Sequence, residues 1–389
     1  MMKHPSPIKT LSQTKVALAH DYFVEYGGAE RVVESLSSIY PDSPIYTAFS
    51  FIEHMSGFSK EFKKKAIITS WAQSIPGIRN LYSPLRLLSV FFFRSFVLPR
   101  STEVVISSTN MYMAKAIRAP RDAVHLCYCH TPPRSLYGYS TMMDWKKHRL
   151  IRLGGELNNF FMRLIDKWTA KNPDIFIANS EEVRARIARY YQRDSVVIYP
   201  PIRLPKTWKT TQPKTPNVLF VGRLGHSKHP DLVVQACILL GLPLTVIGTG
   251  KLESSLKEMA KGHKNIQFRG FVSDEELSKA YLESSIVVYP SEDEDFGMIP
   301  LEALSHGTPV VVHKSGGFLE TIRDQLDGMF IEDLTVESCA QLIQKALKHQ
   351  WNHKSLRARA EEFSEEVFHQ KIQDCIRTAR KAKNNGNSL

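Results

Sequence analysis

The sequence predicts an α/β protein of two parallel-sheet units, similar in size and facing each other across a cleft. Three observations carry this. Strand-like and helix-like runs alternate along the chain, beginning with Lys15–His20 (KVALAH). The strand-like runs are apolar without clean alternation, as expected where helices cover both faces of a parallel sheet. The rhythm pauses once, over Pro200–Pro216 (PPIRLPKTWKTTQPKTP), where five prolines and no apolar periodicity mark a linker, and then restarts. With 389 residues the chain has room for two or three domains of roughly 150 residues. The expected units are 1–205 and 214–364, with a terminal helix, 365–389, packing back on the first.

In order, the first unit opens on Lys15–His20. A Gly27-Gly28 pair follows, then a helix from about Ala29 to Ile39 with Val32, Val33 and Leu36 inward. Glu103–Ser107, Ala123–Cys129, Asp174–Asn179 and Ser195–Tyr199 continue the strands. A helix from about Glu156 to Ala170 sets Leu157, Phe161, Leu164, Ile165 and Trp168 at helical spacing, the stripe that ordinarily faces a core. After the linker the strands are Asn217–Val221, Leu244–Ile247, Asn265–Phe268, Ile286–Tyr289 and Pro309–His313. Helices start at Pro230, Lys251, Asp274 and about Met298. Pro230 suits a first helical position, and Ser273 with Glu276 forms a capping box. The last helix runs from about Phe363 to Lys383 with Val367, Ile372, Cys375 and Ile376 inward, and the final NNGNSL reads as frayed.

The chain is 43% hydrophobic and 23% charged, which excludes a disordered tail, a collagen-like fibre and a small disulfide scaffold. Its net charge of +12 is unevenly placed. Residues 1–200 hold 27 Lys/Arg against 16 Asp/Glu, a balance of +11; residues 201–389 hold 24 against 23, a balance of +1. The halves should therefore meet different partners. Five cysteines without a CxxC pair read as buried thiols in a reducing compartment, with Cys127 and Cys129 on one face of a strand. MMKHPSPIKTLSQT has no apolar signal core, and the Leu87–Phe93 run falls far short of the ~20 residues that span a bilayer. The expectation is a cytoplasmic protein, peripheral at most on the inner face of a membrane.

The densest chemical signal is Ser291–Val310 (SEDEDFGMIPLEALSHGTPV). Glu294 falls in the loop after a strand and Glu302 about one turn into the next helix, so both carboxylates can line one pocket. Phe296-Gly297 sits at the helix start, where free N–H groups can meet an anion. Carboxylates accept hydrogen bonds from sugar hydroxyls, so such a pocket suits a phosphorylated sugar. An acidic loop alone is as often a solvated turn. The second signal, Val221–Lys228 (VGRLGHSK), puts Arg223 and Lys228 on a strand-to-helix turn, a fork and a point charge placed for phosphate. It is not a Walker A loop. Gly248 and Gly250 in TIGTG lack the third glycine of a dinucleotide fingerprint, Gly316-Gly317 reads as a turn, and Ser180 as a helix cap.

Together these residues resemble the retaining glycosyltransferases of family 4, which have the GT-B fold of two facing Rossmann-like domains. The family pattern E-x-F-G-x-x-x-x-E-A-x-x-x-G-x-P-V is present as Glu294, Phe296, Gly297, Glu302, Ala303, Gly307, Pro309 and Val310. G-R-x-x-x-x-K is present as Gly222, Arg223 and Lys228. KVALAHDYFVEYGGAERVVESL and CYCHTPPRSLY look like a branch of O-antigen mannosyltransferases, although Pro133 and Ser135 stand where that branch more often has bulkier residues. The resemblance implies GDP-mannose as donor, with a UDP-sugar or a catalytically inactive binding protein as alternatives. It implies that Arg223 and Lys228 hold the diphosphate, Glu302 the ribose, and Glu294 the sugar hydroxyls, with backbone support from Gly222 and Phe296-Gly297-Met298. It places His130 against the donor sugar and Gly27-Gly28 against its phosphate. Phe271 either packs near the base or makes a core contact. No catalytic metal and no cofactor beyond the donor are implied. A glycosidase using Glu294 and Glu302 as acid and nucleophile is the rival chemistry, but it leaves Arg223 and Lys228 unexplained.

The basic half is where an acceptor would bind. Asn80–Arg100 mixes Leu85, Leu88, Phe92 and Phe96 with Arg86, Arg94 and Arg100, next to Arg79, and Lys146–Arg152 (KKHRLIR) adds charge. This is either a core-packed helix with a solvated basic face or a surface for anionic lipid, which a lipid-diphosphate-linked acceptor would make useful. No nucleic-acid motif is present.

Overall fold

The computed structural model describes residues 15–385 apart from 56, 83, 112, 140–148, 212 and 214. Met1–Thr14, Lys146, Lys147 and His148 of the basic KKHRLIR run, and the last four residues lie outside the described residues. Two sheets form, and every described ladder in them is parallel. The first contains β1 (Val16–His20), β2 (Ile45–Thr47), β3 (Ile67–Thr69), β4 (Val104–Thr109), β5 (Val124–Cys129), β6 (Ile175–Ala178) and β7 (Ser195–Val197). The second contains β8 (Val218–Val221), β9 (Leu244–Ile247), β10 (Ile266–Gly270), β11 (Ile286–Tyr289), β12 (Val310–His313) and β13 (Gly328–Ile331). Their spatial orders are β3-β2-β1-β4-β5-β6-β7 and β10-β9-β8-β11-β12-β13. The α/β architecture of two Rossmann-like units is therefore the one the sequence predicted. Chain order reverses between β1 and β4, and again between β8 and β11. These are the switch points of doubly wound sheets, where adjacent crossovers run to opposite faces and leave a crevice at the strands' carboxyl ends.

Burial explains why the strand runs lack alternation. All six residues of β4 and of β5 are buried, as are all four of β8 and β11. One face of the first sheet packs Leu18 and Ile106 against Val32, Val33 and Leu36 of the Gly28–Ile39 helix. The other packs Val105 and Tyr46 against Phe92, Phe93 and Met113. The strands that the sequence pattern did not reveal, β2, β3 and β13, have three or four residues, and β3 is a half-exposed edge.

After the second sheet the chain returns to the first. The Ile202 N–H donates to the Phe363 carbonyl at 2.9 Å, and Ile202 bridges Ser364 in parallel. The Glu365–Asn384 helix then buries Phe368, Ile372, Ile376 and Ala379 in the first unit's core. Phe368 holds the position that spacing assigned to Val367, which is half-buried. Arg380 pairs with Glu103 and Lys383 with Asp174 at the far end.

One expectation is reversed for four of its five residues. In the Arg149–Thr169 helix, Leu157, Phe161, Leu164 and Trp168 are 46–61% exposed, while Ile165 packs on the core beside the fully buried Met162, and Asn159, Asp166 and Thr169 are buried as well. A polar cluster holds the helix in this rotation. Asp166 pairs with the buried Lys115 and accepts hydrogen bonds from Tyr137 (2.7 Å) and Tyr191 (3.2 Å). Arg86 donates to Asn159 at 3.0 Å. Turning the apolar stripe inward would strand the buried Lys115 charge, a loss of several kcal/mol. The five cysteines are free thiols, and burial pushes Cys127 up to about 12. Among the described residues no helix is long and apolar enough to cross a membrane.

Candidate functional site

The site grows from the carboxyl end of β11. Ser291 donates to Glu294 at 2.8 Å, and Lys228 donates to Ser291 at 3.1 Å while pairing with Glu294. The Gly317 N–H fixes the Glu294 carbonyl at 2.9 Å, giving the Gly316-Gly317 turn a part in shaping this loop. The backbone turns sharply, with Asp293 at φ +50° and Gly297 at φ +91°. A Cβ on Gly297 would fall 2.4 Å from the Phe318 ring, so only glycine fits. The Met298–Ser305 helix starts there and carries Glu302 on its second turn, where Tyr281 donates to it at 3.1 Å. Phe296 is buried, its ring against Tyr199 and Phe363. Only its backbone is left for the cleft.

The neighbouring strand, β8, delivers Arg223 and Lys228, the latter in a short 3-10 turn from His226 to Lys228. A Cβ on Gly248 would lie 1.9 Å from the Gly222 carbonyl. The first glycine of TIGTG thus lets the β9 loop pass against the β8 loop. Burial opposes charge on both Lys228 and Glu294, but their mutual attraction, with help from neighbouring groups, outweighs it. The ammonium lies above the usual lysine range and the carboxyl below the usual glutamate range.

The first unit closes the site from the other side. Gly27 caps the Gly28–Ile39 helix, and its N–H donates to Glu30 at 2.9 Å. A Cβ on Gly28 would come within 3.0 Å of the Met298 sulfur, so the glycine loop abuts the start of the Met298–Ser305 helix. Arg31 pairs with Glu302, which holds the guanidinium above its usual range. Glu25 meets Arg223 at 3.4 Å. Arg134 donates to the Asp293 carbonyl and to Asp295 (3.0 Å). Arg186 also pairs with Asp295 and donates to Thr131 at 3.1 Å.

His130 stands one layer deeper, at the end of β5. Its Nε2 shares a hydrogen bond with Ser108 (2.8 Å), Ser108 with His20 (3.2 Å), and His20 with Glu30 (3.4 Å). The four groups thus form one hydrogen-bonded chain from the β5 end to the glycine loop, ending on the Glu30 carboxylate, which accepts from His20. Burial, reinforced by His20, pulls His130 down to about 3. Glu30 thus links the glycine loop to the histidine that resemblance placed at the sugar. Asp21 is a second buried organiser, accepting from the Thr109 hydroxyl and the N–H groups of Asn110, Met111 and Ala114.

Contacts therefore bring Lys228, Glu294, Gly297, Met298, Glu302, Gly27 and Gly28 to one cleft, with Arg223 at its edge and His130 beneath it. Phe271 is 73% exposed at the end of β10, which removes the core-contact alternative. Sequence reasoning missed Arg31, Arg134, Arg186, Asp295 and Glu30. Arg31 and Arg134 do lie four residues beyond Gly27 and His130, the one local sign available. Among the described residues no group of three or more His, Cys, Asp or Glu is placed to hold a metal ion. Chemically, the cleft offers cations for a diphosphate and carboxylates for sugar and ribose hydroxyls.

Known proteins share this fold. Residues 26–205 match the family model Glycosyltransferase Family 4, and residues 206–366 match Glycosyl transferases group 1. An uncharacterised glycosyltransferase of Methanocaldococcus jannaschii is 33% identical over 33% of this chain and 35% of its own. The chain spans between 23% and 63% of the length of the curated relatives it matches. A sucrose-phosphate synthase from Thermosynechococcus elongatus superposes with a TM-score of 0.73 at 18% identity, covering 95% of this chain and 100% of that one. An Anabaena protein crystallised with UDP and glucose superposes with a TM-score of 0.66 at 16% identity, covering 94% and 99%. At such identities the likeness establishes the shared GT-B fold.

Proposed function

We propose a reaction from one premise: the chain belongs to the glycosyltransferases of family 4, its first unit matching that family's model and its second the group 1 model. The reaction is transfer of a hexose from a nucleoside-diphosphate sugar to a hydroxyl of a glycan or lipid-linked saccharide, in cell-surface polysaccharide synthesis. The donor is GDP-mannose, on the resemblance of the YGGAERVVESL and CYCHTPPRSLY segments to mannosyltransferases. A UDP-sugar is the alternative for the same cleft. The observation that carries the reading is the meeting of Lys228 with Glu294 across the β8/β11 switch point, facing the Gly27-Gly28 loop.

Arg223 and Lys228 neutralise the departing diphosphate. Groups aimed at developing charge in a preformed site contribute roughly 3 kcal/mol each. Glu294 receives hydroxyls of the sugar and Glu302 those of the ribose. The start of the Met298–Ser305 helix, with Gly297, offers backbone N–H groups. The acceptor hydroxyl attacks the anomeric carbon on the face the diphosphate leaves. The new C–O bond forms as the old one breaks, the proton passes to the departing phosphate oxygen, and configuration is retained. His130 serves as an uncharged hydrogen-bonding group. The two cations supply the charge balance, so chelators should leave turnover intact.

The test is turnover with GDP-, UDP- and ADP-sugars, with and without a saccharide acceptor. Acceptor-dependent nucleotide release, with the anomeric configuration kept in the product, supports the reading. Glycoside cleavage without a nucleotide makes the protein a hydrolase, and donor binding without turnover makes it a binding module.

A further inference from the structure

The segment around the glycine loop touches the second unit's donor residues at two points. Glu25 meets Arg223 at 3.4 Å, and Arg31 pairs with Glu302. Arg223 and Glu302 have parts in the transfer; Arg31 has none. Yet Arg31 is not a loose surface cation. It sits one turn into the Gly28–Ile39 helix, and that helix is fastened on several sides. Its Glu34 accepts from the Tyr26 hydroxyl at 2.8 Å and the Ser59 N–H at 3.0 Å, and pairs with Arg203 of the linker at 2.9 Å. Its Ser35 shares a hydrogen bond with His369 of the last helix at 2.9 Å. The Arg31 guanidinium lies 5.7 Å from the centre of the Tyr26 ring, so the ring that Glu34 holds also backs the cation. A planar fork presented from a fixed helix sets the direction of the carboxylate it meets.

Glu302 is fixed from both units. Arg31 donates to Oε1 from the first, and the buried Tyr281 donates to Oε2 at 3.1 Å from the second. An ionised carboxylate offers about four acceptor positions, two on each oxygen. One position therefore remains on each oxygen, which is what the two vicinal hydroxyls of a ribose require. Without the guanidinium, Tyr281 alone would orient the carboxylate. We propose that Arg31 is a positioning residue that holds Glu302 from across the cleft, ready to receive both ribose hydroxyls of the donor. The inference rests on the donor reading of the cleft and goes beyond it, because it gives the first unit a part in recognising the nucleoside.

Calorimetric titration of the full chain tests it, with GDP, UDP and their 2′,3′-dideoxy counterparts as probes. The wild type should bind the nucleotide with ribose hydroxyls about tenfold or more tighter than the one without. Arg31→Met, which keeps an apolar stem beside Tyr26, should lose about tenfold for the hydroxyl-bearing nucleotide. Its affinity for the dideoxy nucleotide should change by less than about twofold, because Glu302 has nothing to receive there. Arg31→Lys keeps the charge and should bind the hydroxyl-bearing nucleotide more tightly than Arg31→Met. Should Arg31→Met melt early, Arg31→Lys carries the same comparison. If Arg31→Met binds as the wild type does, or weakens equally with and without the hydroxyls, the inference alone is overturned; the second result would make Arg31 a direct phosphate contact. If the wild type binds none of the four nucleotides, or does not distinguish the dideoxy forms, the donor reading of Glu302 fails and the inference falls with it.

Discussion

Alanine at Lys228 removes the cation that Glu294 and Ser291 hold in place. Two losses follow, and they separate. The unpaired Glu294 carboxylate costs about 1–3 kcal/mol of stability, which Lys228→Ala combined with Glu294→Gln should restore in a melting experiment. Transfer should fall by about 100-fold or more in kcat/KM and stay low in the double variant. Arg223→Ala and Glu302→Ala should show the same loss of transfer with the fold kept. The histidines give a pH signature. Burial pulls His130 down to about 3 and, against the pull of Asp174, His125 to about 4, whereas an unfolded histidine titrates near 6.5. Below pH 6.5 the unfolded chain binds protons that these folded rings refuse, so stability is full above that pH and falls as pH drops toward 4. At pH 5 each ring contributes a loss of about 2 kcal/mol. Chemical denaturation at pH 7 and pH 5 measures it, and His125→Gln should shrink the difference. Arg223, Lys228, Glu294 and Glu302 were legible because each falls in a short local pattern at a strand end. Arg31 and Arg186 were not: their partners are 271 and 109 residues away, and no local spacing encodes that.

At the scale of elements, most strands and the helices opening at Pro230, Asp274 and Met298 were legible from apolar runs and caps, the Ser273–Glu276 capping box among them, while the Val336–Lys348 and His353–Glu361 helices were not read. β2, β3 and β13, of three or four residues each, were not read. The Arg149–Thr169 helix was read correctly as a helix, but its rotation was not. Hydrophobic spacing reports which residues share a face, and the buried Lys115–Asp166 pair decides which face turns inward. The β11 turn makes the sharpest prediction. Gly297→Ala must adopt φ near +91° and strike Phe318. It should cost about 1–3 kcal/mol in a melting experiment. Because the same turn starts the Glu302 helix, donor affinity should fall with stability. A Gly225→Ala control has no atom within 4 Å of the new Cβ and should change the melting temperature little.

The whole molecule is tied together near its cleft. Arg31–Glu302, Glu25–Arg223 and the Arg134 and Arg186 contacts to Asp295 join the halves. Glu320 of the second half accepts the N–H groups of Glu181 and Glu182 and so caps a helix of the first. Glu320→Ala should lower stability by about 1 kcal/mol, and calorimetry should show the first half melting earlier. The uneven charge, +11 against +1, was visible in the sequence before any site was. Its consequence is now local: first-half arginines grip the second half's Asp293–Asp295 turn, and Arg94 lies against the ring of Trp168. The most direct measurement is calorimetric titration with GDP-mannose and UDP-sugars, on the wild type and on a variant carrying Arg223→Ala and Lys228→Ala. One nucleotide sugar should bind the wild type, and the double variant should lose at least about 100-fold in affinity. If no nucleotide sugar binds, or if the double variant binds as tightly as the wild type, the cleft between β8, β11 and the Gly27-Gly28 loop is not the donor site.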